Sequence, residues 1–338
     1  MVTRSSGLTT LVLVLWNALA VHAQPLSLPT TNAALFAIDG EEDFYVGTPG
    51  RTWLSGAFGC VRSEGRQLHE GLDIRCVQRD RRGEPTDPIL AAADGCIAYI
   101  NRKSSLSNYG IYIVIQHRIQ GVEIYSLYAH LSEVAEGLAV GQPVAAGSII
   151  GIMGRTANTA SRISRERAHL HFELNLLLND DFPGWFRKHY PTQRNDHGRW
   201  NGRNLAGLDP RQILLTQRVH GNRFDLSHVI RSQPELMRVL VRDTDFPWLQ
   251  RYPQLILPNP TAEKEGVAGY ELVFNFNGIP CQLIPRAASE IPSNARVQLL
   301  SVSEHEQQLR PCRKLVSRNG GNWRLTDSGQ RLIDLLLH

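Results

Sequence analysis

The chain has 338 residues, room for one medium domain and a second, smaller one. Hydrophobic residues make up 42% and charged residues 20%, which excludes disordered, collagen-like and coiled-coil chains. The formal charge of +4 is mild and no lysine- or arginine-rich run stands out, so no nucleic-acid partner is expected.

Residues 1–23, "MVTRSSGLTTLVLVLWNALAVHA", set a single Arg4 ahead of an apolar run from Leu8 to Ala20 and finish on small residues. This is the pattern of a signal peptide cut after about Ala23, and it predicts a secreted or periplasmic protein. The apolar run is short for a bilayer span, and no later segment is apolar enough for one. No stable membrane span is therefore expected once the leader is gone. Residues 24–47 read as an N-terminal linker.

Five cysteines suit an exported chain. The expected pairing is Cys281 with Cys312, plus one bridge among Cys60, Cys76 and Cys96, with one thiol left over. None stands in a CxxC pair, which argues against a zinc ribbon or a thioredoxin-type redox site.

Residues 48–215 carry short β-branched and aromatic runs between glycine turns: "GCIAYI", "GIYIVIQH", "VEIYSLYAHL" and "SIIGIMG". They predict a mainly β domain with few helices. Residues 175–205, polar and turn-rich, read as a long excursion from the sheet. Within it Trp185, Phe186, His189 and Tyr190 are expected to anchor the loop. Whether the excursion also covers a site as an inhibitory lid is left open. "GLDPRQILL" reads as a closing segment. From 216 to 338 the pattern changes. "SQPELMRVLVRD" suggests a short helix, and "YELVFNFNGIPCQLI" a strand with Leu272, Phe274 and Phe276 on one face. "TDSGQRLIDLLLH" reads as a capped helix. This predicts a small C-terminal α+β domain with no assigned role.

Three short elements carry chemistry. In "AHLHFEL", strand alternation sends His169 and His171 to one face and Leu170 and Phe172 to the other. In "QLHEGLDIRC", His69 and Asp73 share a face, and Gly71 between them permits close backbone approach. An imidazole nitrogen and a carboxylate oxygen are both ordinary zinc ligands. "SLYAHL" ends a strand on His130. Alone, each fits a surface pair or a packed histidine; three in one compact β domain point to a shared site.

In their order along the chain, "HEGLDI", "YAHL", "VGQPVAAGSIIGIMG" and "HLHFEL" resemble the lysostaphin-type, or LytM-like, zinc metallo-endopeptidases, over roughly residues 48–215. The resemblance implies a compact antiparallel β-sheet of the LytM-like, duplicated hybrid kind with Zn2+ in a groove. It makes His69, Asp73 and His171 the metal ligands. His130 and His169 become the unligated histidines that orient water and steady the transition state. Three ligands leave a fourth position for water, which zinc acidifies, with a nearby histidine to move its proton. The implied function is an exported endopeptidase hydrolysing peptide cross-links of peptidoglycan. Two others stay open: a non-catalytic LytM-like regulator that activates a cell-wall amidase, and a secreted protease acting on flexible proteins. Regulators of that kind commonly lack the metal ligands.

Some neighbours keep two readings. Glu173, on the face of His171, is either a partner of that ring or a solvent-facing acid. Tyr109 either lines the groove or simply packs, and His117 is expected to face solvent at a turn. The segment before "HLHFEL" is longer than the family's usual turn and carries Arg155, Arg162, Arg165 and Arg167, either solvated or aimed at a substrate carboxylate.

Overall fold

The computed structural model describes residues 25–159 and 163–338; the expected leader and Arg162 lie outside them. The β-branched runs form β1 (Gly59–Arg62), β2 (Gln67–His69), β3 (Leu72–Arg75), β4 (Pro88–Leu90), β5 (Gly95–Asn101) and β6 (Ile111–Ile119). They continue as β7 (Val122–Val134), β8 (Pro143–Val144), β9 (Ile149–Met153), β10 (His169–Leu177) and β11 (Leu205–Leu208). β1 and β2 make a hairpin. The rest form one nine-stranded sheet ordered β11-β10-β7-β6-β5-β8, with β3 on β10, β9 on β7 and β4 on β9. Every pairing in it is antiparallel, so the mainly β expectation holds.

The sheet is covered on both faces, and alternation along β10 divides its residues between them. Leu170, Phe172, Leu174 and Leu176 enter the main core, Phe172 against Tyr128 at 5.3 Å between rings. The other face holds Tyr112, Val114, Tyr125, Leu127 and Ala129, capped by Trp200 and Leu205. Those caps come from the 175–205 excursion, which is not a bare loop. It contains a helix, Phe182–His189, capped by Asp181. Trp185 and Phe186 are buried, His189 stacks on Trp185 at 4.6 Å and Tyr190 packs on Phe186 at 5.1 Å, so the four expected anchors do anchor it.

Residues 25–47, read as a linker, are packed into the structure. Leu26 exchanges hydrogen bonds with Gln217, Phe44 and Tyr45 are buried, and the Val46 amide donates to the Asp73 carbonyl at 2.9 Å. The C-terminal part is α+β as expected. Its sheet runs β14 (Pro280–Arg286), β13 (Gly269–Phe274), β12 (Met237–Val241), β15 (Val297–Val302), beside a hairpin of β16 (Val316–Asn319) and β17 (Asn322–Leu325). The helix Asp327–Leu336 starts at the Thr326 cap. "SQPELMRVLVRD" is not a helix. The helix Leu226–Arg231 stops ahead of Pro234, and the Val-Leu-Val run becomes β12, paired on both edges. Buried residues of both parts join one continuous core. Among the described residues, no helix is long and apolar enough to cross a membrane.

The cysteine expectation fails. Cys312 bonds Cys60, not Cys281, across 252 residues, because the turn Pro311–Arg313 packs against β2 beside β1. Cys76, Cys96 and Cys281 are free thiols. Cys281 points into the core and Cys76 donates to Asp87, so neither reaches a partner.

His117 also departs from expectation. It is buried in β6, its Nδ1 donating to the Asp94 carbonyl at 2.8 Å and its Nε2 bonded to Ser126 Oγ at 2.6 Å. Burial lowers its pKa from 6.5, so the folded chain keeps the ring neutral where the unfolded chain binds a proton. The associated stability is complete above the unfolded value and is lost as pH falls from there through the folded value. Thermal midpoints recorded from pH 8 to pH 5 should fall less steeply for His117→Asn than for the unsubstituted protein; parallel curves would refute this.

Candidate metal centre

Asp73 and His171 stand opposite each other where β3 pairs with β10, so both side chains leave the sheet on the same face. His69 reaches them from β2 through Gly71. A Cβ there would lie 2.3 Å from the Phe172 carbonyl oxygen, so only glycine lets this segment lie against β10. His69 Nε2, Asp73 Oδ1 and His171 Nδ1 then converge, at 3.0 Å, 3.1 Å and 2.9 Å from one another. All three residues are buried, and among the described residues theirs is the cluster able to hold a metal.

The opposite nitrogen of each ring is already committed. His69 Nδ1–H donates to the Ala57 carbonyl at 2.8 Å, and His171 Nε2–H to Glu173 Oε1 at 2.8 Å. Glu173 is itself fixed by Tyr109 Oη at 2.7 Å and Asn175 Nδ2 at 2.7 Å. These bonds turn His69 Nε2 and His171 Nδ1 toward the cluster as lone pairs, beside a carboxylate oxygen. Three acceptors so close need a positive charge between them. Without a metal a proton supplies it: burial opposes charging His171, but Asp73 and Glu173 push its pKa up to about 10. Burial likewise opposes the Asp73 carboxylate, yet the His69 and His169 rings hold its pKa well below the usual range. Two imidazole nitrogens and one carboxylate oxygen are a donor set that suits zinc.

His169 and His130 stand beside the cluster. His169 Nδ1–H donates to the Arg167 carbonyl at 2.6 Å and His130 Nδ1–H to the Thr156 carbonyl at 2.8 Å, which leaves Nε2 as the lone-pair nitrogen of each ring, that of His169 lying 3.5 Å from Asp73 Oδ1. Their rings lie 4.9 Å apart, and His130 is 5.9 Å from His171. Simple alternation would have sent His130 into the core with Tyr128. Between Ile113↔Tyr128 and Ile111↔Leu131, β7 carries one extra residue, a bulge at which His130 takes φ +63°. The bulge re-aims the ring onto the face of His171. Burial lowers the pKa of both histidines, that of His130 well below its ordinary value.

All five expected site residues therefore meet, and Glu173 and Tyr109 settle as partners of the cluster. Sequence reading missed Arg62, whose guanidinium holds Asp73 Oδ2 at 2.6 Å; nothing in "GCVR" signals it. Of the arginines before β10, Arg155 and Arg165 are spent on Glu84, and Arg167 lines the site. The site opens into a cavity of about 660 Å³, walled by Asn201 and Arg203 of the excursion and by Asn277 and Arg313 of the C-terminal part.

The model of Peptidase family M23 matches residues 67–181, a segment that contains all five residues, so the resemblance read from the motifs stands over that segment. No curated protein matches the chain. Among solved structures, a zinc-containing peptidase from Vibrio cholerae is 26% identical over 32% of this chain and 26% of its own, with a TM-score of 0.24. The catalytic domain of lysostaphin, an antimicrobial peptidase of Staphylococcus simulans, is 26% identical over 35% of this chain and 74% of its own, with a TM-score of 0.25. Csd3 of Helicobacter pylori is 27% identical over 39% and 31%, with a TM-score of 0.26. This chain thus spans under a third of the Vibrio and Helicobacter proteins, and at those scores the solved structures add nothing to the family match.

Gly71→Ala should force β2 and β10 apart and destabilise the protein by roughly 1–3 kcal/mol, the usual cost of overpacking. Denaturant unfolding checks this, and an unchanged midpoint would show that the approach at Gly71 is not limiting.

Proposed function

We propose that this protein is an exported zinc metallo-endopeptidase that hydrolyses peptide cross-links of bacterial peptidoglycan. Its peptidase domain spans about residues 48–215. His69, Asp73 and His171 are its metal ligands, and His130 and His169 its proton-handling histidines. The observation that carries this reading is the convergence of three acceptor atoms whose second sites are all tied elsewhere. The M23 match supports peptide hydrolysis, the 1–23 leader pattern supports export, and the motif resemblance to the lysostaphin-type peptidases supports a wall substrate.

Zinc held by these residues supplies Lewis-acid chemistry, acidifying water and polarising the scissile carbonyl. His169 presents Nε2 as a base, its other nitrogen held by Arg167, and can take a proton from water and return it to the leaving amine. His130, equally held by Thr156, offers a second neutral nitrogen on the same side. Arg62 and Glu173 act through Asp73 and His171, fixing the orientation of each ligand.

The test is to incubate the mature protein with purified peptidoglycan, with and without a chelator, and to analyse the released muropeptides. The chelator should abolish cleavage. His171→Ala should lose zinc, whereas His169→Ala should keep it and lose roughly 10²- to 10⁴-fold in rate, the range of a general base. Cleavage that survives His169→Ala would sink the mechanism, and an intact wall with an activated amidase would favour the regulator. Glu173→Gln, which weakens the hold on His171, should lower zinc affinity roughly 10- to 100-fold in competition with a chromophoric chelator; unchanged affinity would remove Glu173 from the site.

A further inference from the structure

The cavity beside the cluster is not a property of the M23-like segment alone. Its lining includes Asn277, Gly278, Arg313 and Leu332, all from the C-terminal part. These are held firmly. Asn277 Nδ2 donates to the Gly207 carbonyl of β11 at 2.7 Å. Arg313 ends the turn Pro311–Arg313, next to the Cys60–Cys312 disulfide on one side and buried Leu315 beyond Lys314 on the other. The turn closes with Lys314 in the left-handed region, and its amide donates to the Pro311 carbonyl at 3.2 Å.

Five arginines line the cavity, and four are occupied. Arg62 holds Asp73, Arg167 donates to the Gly47 carbonyl, Arg194 pairs with Asp196, and Arg203 reaches Gln193 while lying over Tyr190. Arg313 differs. Its Nε is buried without a partner, and its guanidinium has no hydrogen bond, ion pair or aromatic face among the described residues. The one carboxylate that acts on it is Glu70, from beyond ion-pair reach. A partly desolvated cation without a partner is costly to keep, and a planar donor fork matches a carboxylate bidentately.

We propose that Arg313 is a specificity-determining residue of the groove, binding a free carboxylate of the peptide substrate. This rests on the hydrolase reading above and deepens it, because it assigns the substrate class as acidic peptides anchored by the C-terminal part. The rival role for Arg313 is a purely internal one, as the counter-charge of Glu70. The two differ in consequence. An internal pair makes Glu70→Gln and Arg313→Gln equivalent, whereas a substrate anchor makes only Arg313→Gln blind to the carboxylate.

The experiment uses the full mature protein and cross-linked muropeptide dimers, either with free carboxylates or with the same groups amidated. The unsubstituted protein should favour the free form in kcat/KM by about 10- to 100-fold, the worth of a charge-assisted bond, mainly through KM. Arg313→Gln should bring that ratio close to one by slowing the free form only, Arg313→Lys should retain part of it, and Glu70→Gln should keep it. Thermal midpoints and non-reducing mass spectra check folding and the disulfide. If the Gln variant does not fold, an unchanged ratio in Arg313→Lys overturns the proposal. A full ratio in folded Arg313→Gln overturns it and leaves hydrolysis standing, and loss of the ratio in Glu70→Gln as well overturns it in favour of the internal pair. If neither dimer is cleaved, the hydrolase reading fails separately and binding of the same dimers decides: a free-form preference lost in Arg313→Gln sustains the site, and equal or absent binding overturns it.

Discussion

Strand β10 is held on both edges, and the register that sets His171 opposite Asp73 on β3 and opposite Ala129 on β7 governs what the molecule can do. Alternation has period two, so that register sends Leu170 and Phe172 inward while His169, His171 and Glu173 take the opposite face, where the two histidines line the cavity. A slip of one residue would bury four polar side chains, His169, His171, Glu173 and Asn175, in the core. The core and the site thus enforce each other, since the apolar half of β10 admits one register and that register assembles the cluster. Electrostatics then completes the centre. Ala57 and Glu173 fix two ring nitrogens outward, Arg62 fixes one carboxylate oxygen, and the remaining three acceptors lie within 3.1 Å of one another.

The pairing leaves His130 to a separate device. A left-handed φ at a non-glycine residue carries a cost, on the order of 1–3 kcal/mol, that persists only where surrounding contacts over-determine it. Here the His130 amide donates to the Tyr109 carbonyl at 2.8 Å and its ring to Thr156, so the bulge is held from both ends. Tyr109 therefore serves twice, its backbone fixing His130 and its hydroxyl fixing Glu173. Two histidines far apart in sequence are oriented through one tyrosine.

Much of this was legible in the sequence, for a physical reason. Period-two patterning and glycine punctuation are local, so the strands, the face shared by His169 and His171, and the i, i+4 approach of His69 and Asp73 across Gly71 could be read directly. The bulge at His130 could not, because "YAHL" fits an unbroken strand equally well. The burial of His117 escaped for a similar reason: its partners, Asp94 and Ser126, come from neighbouring segments. β12 was misread because "MRVLV" is ambiguous by periodicity, and only pairing on both edges decides it. The disulfide and Arg62 are long-range facts, set by how the Pro311–Arg313 turn and β1 come to rest.

That long-range packing also shapes the space beside the cluster. The cluster lies wholly within residues 67–181, but the cavity it opens into does not. Tyr252 Oη accepts from the Leu177 amide at the end of β10, and Asn179 Nδ2 donates to the Leu335 carbonyl of the last helix. The helix Pro210–His220 runs through the position where the sequence pattern changes, and its buried residues join the core shared by both parts. The cluster itself needs only the strands that bring the five residues together. The walls beside it are built by the excursion and the C-terminal part, and the core shared by both parts holds those walls in place against the cluster.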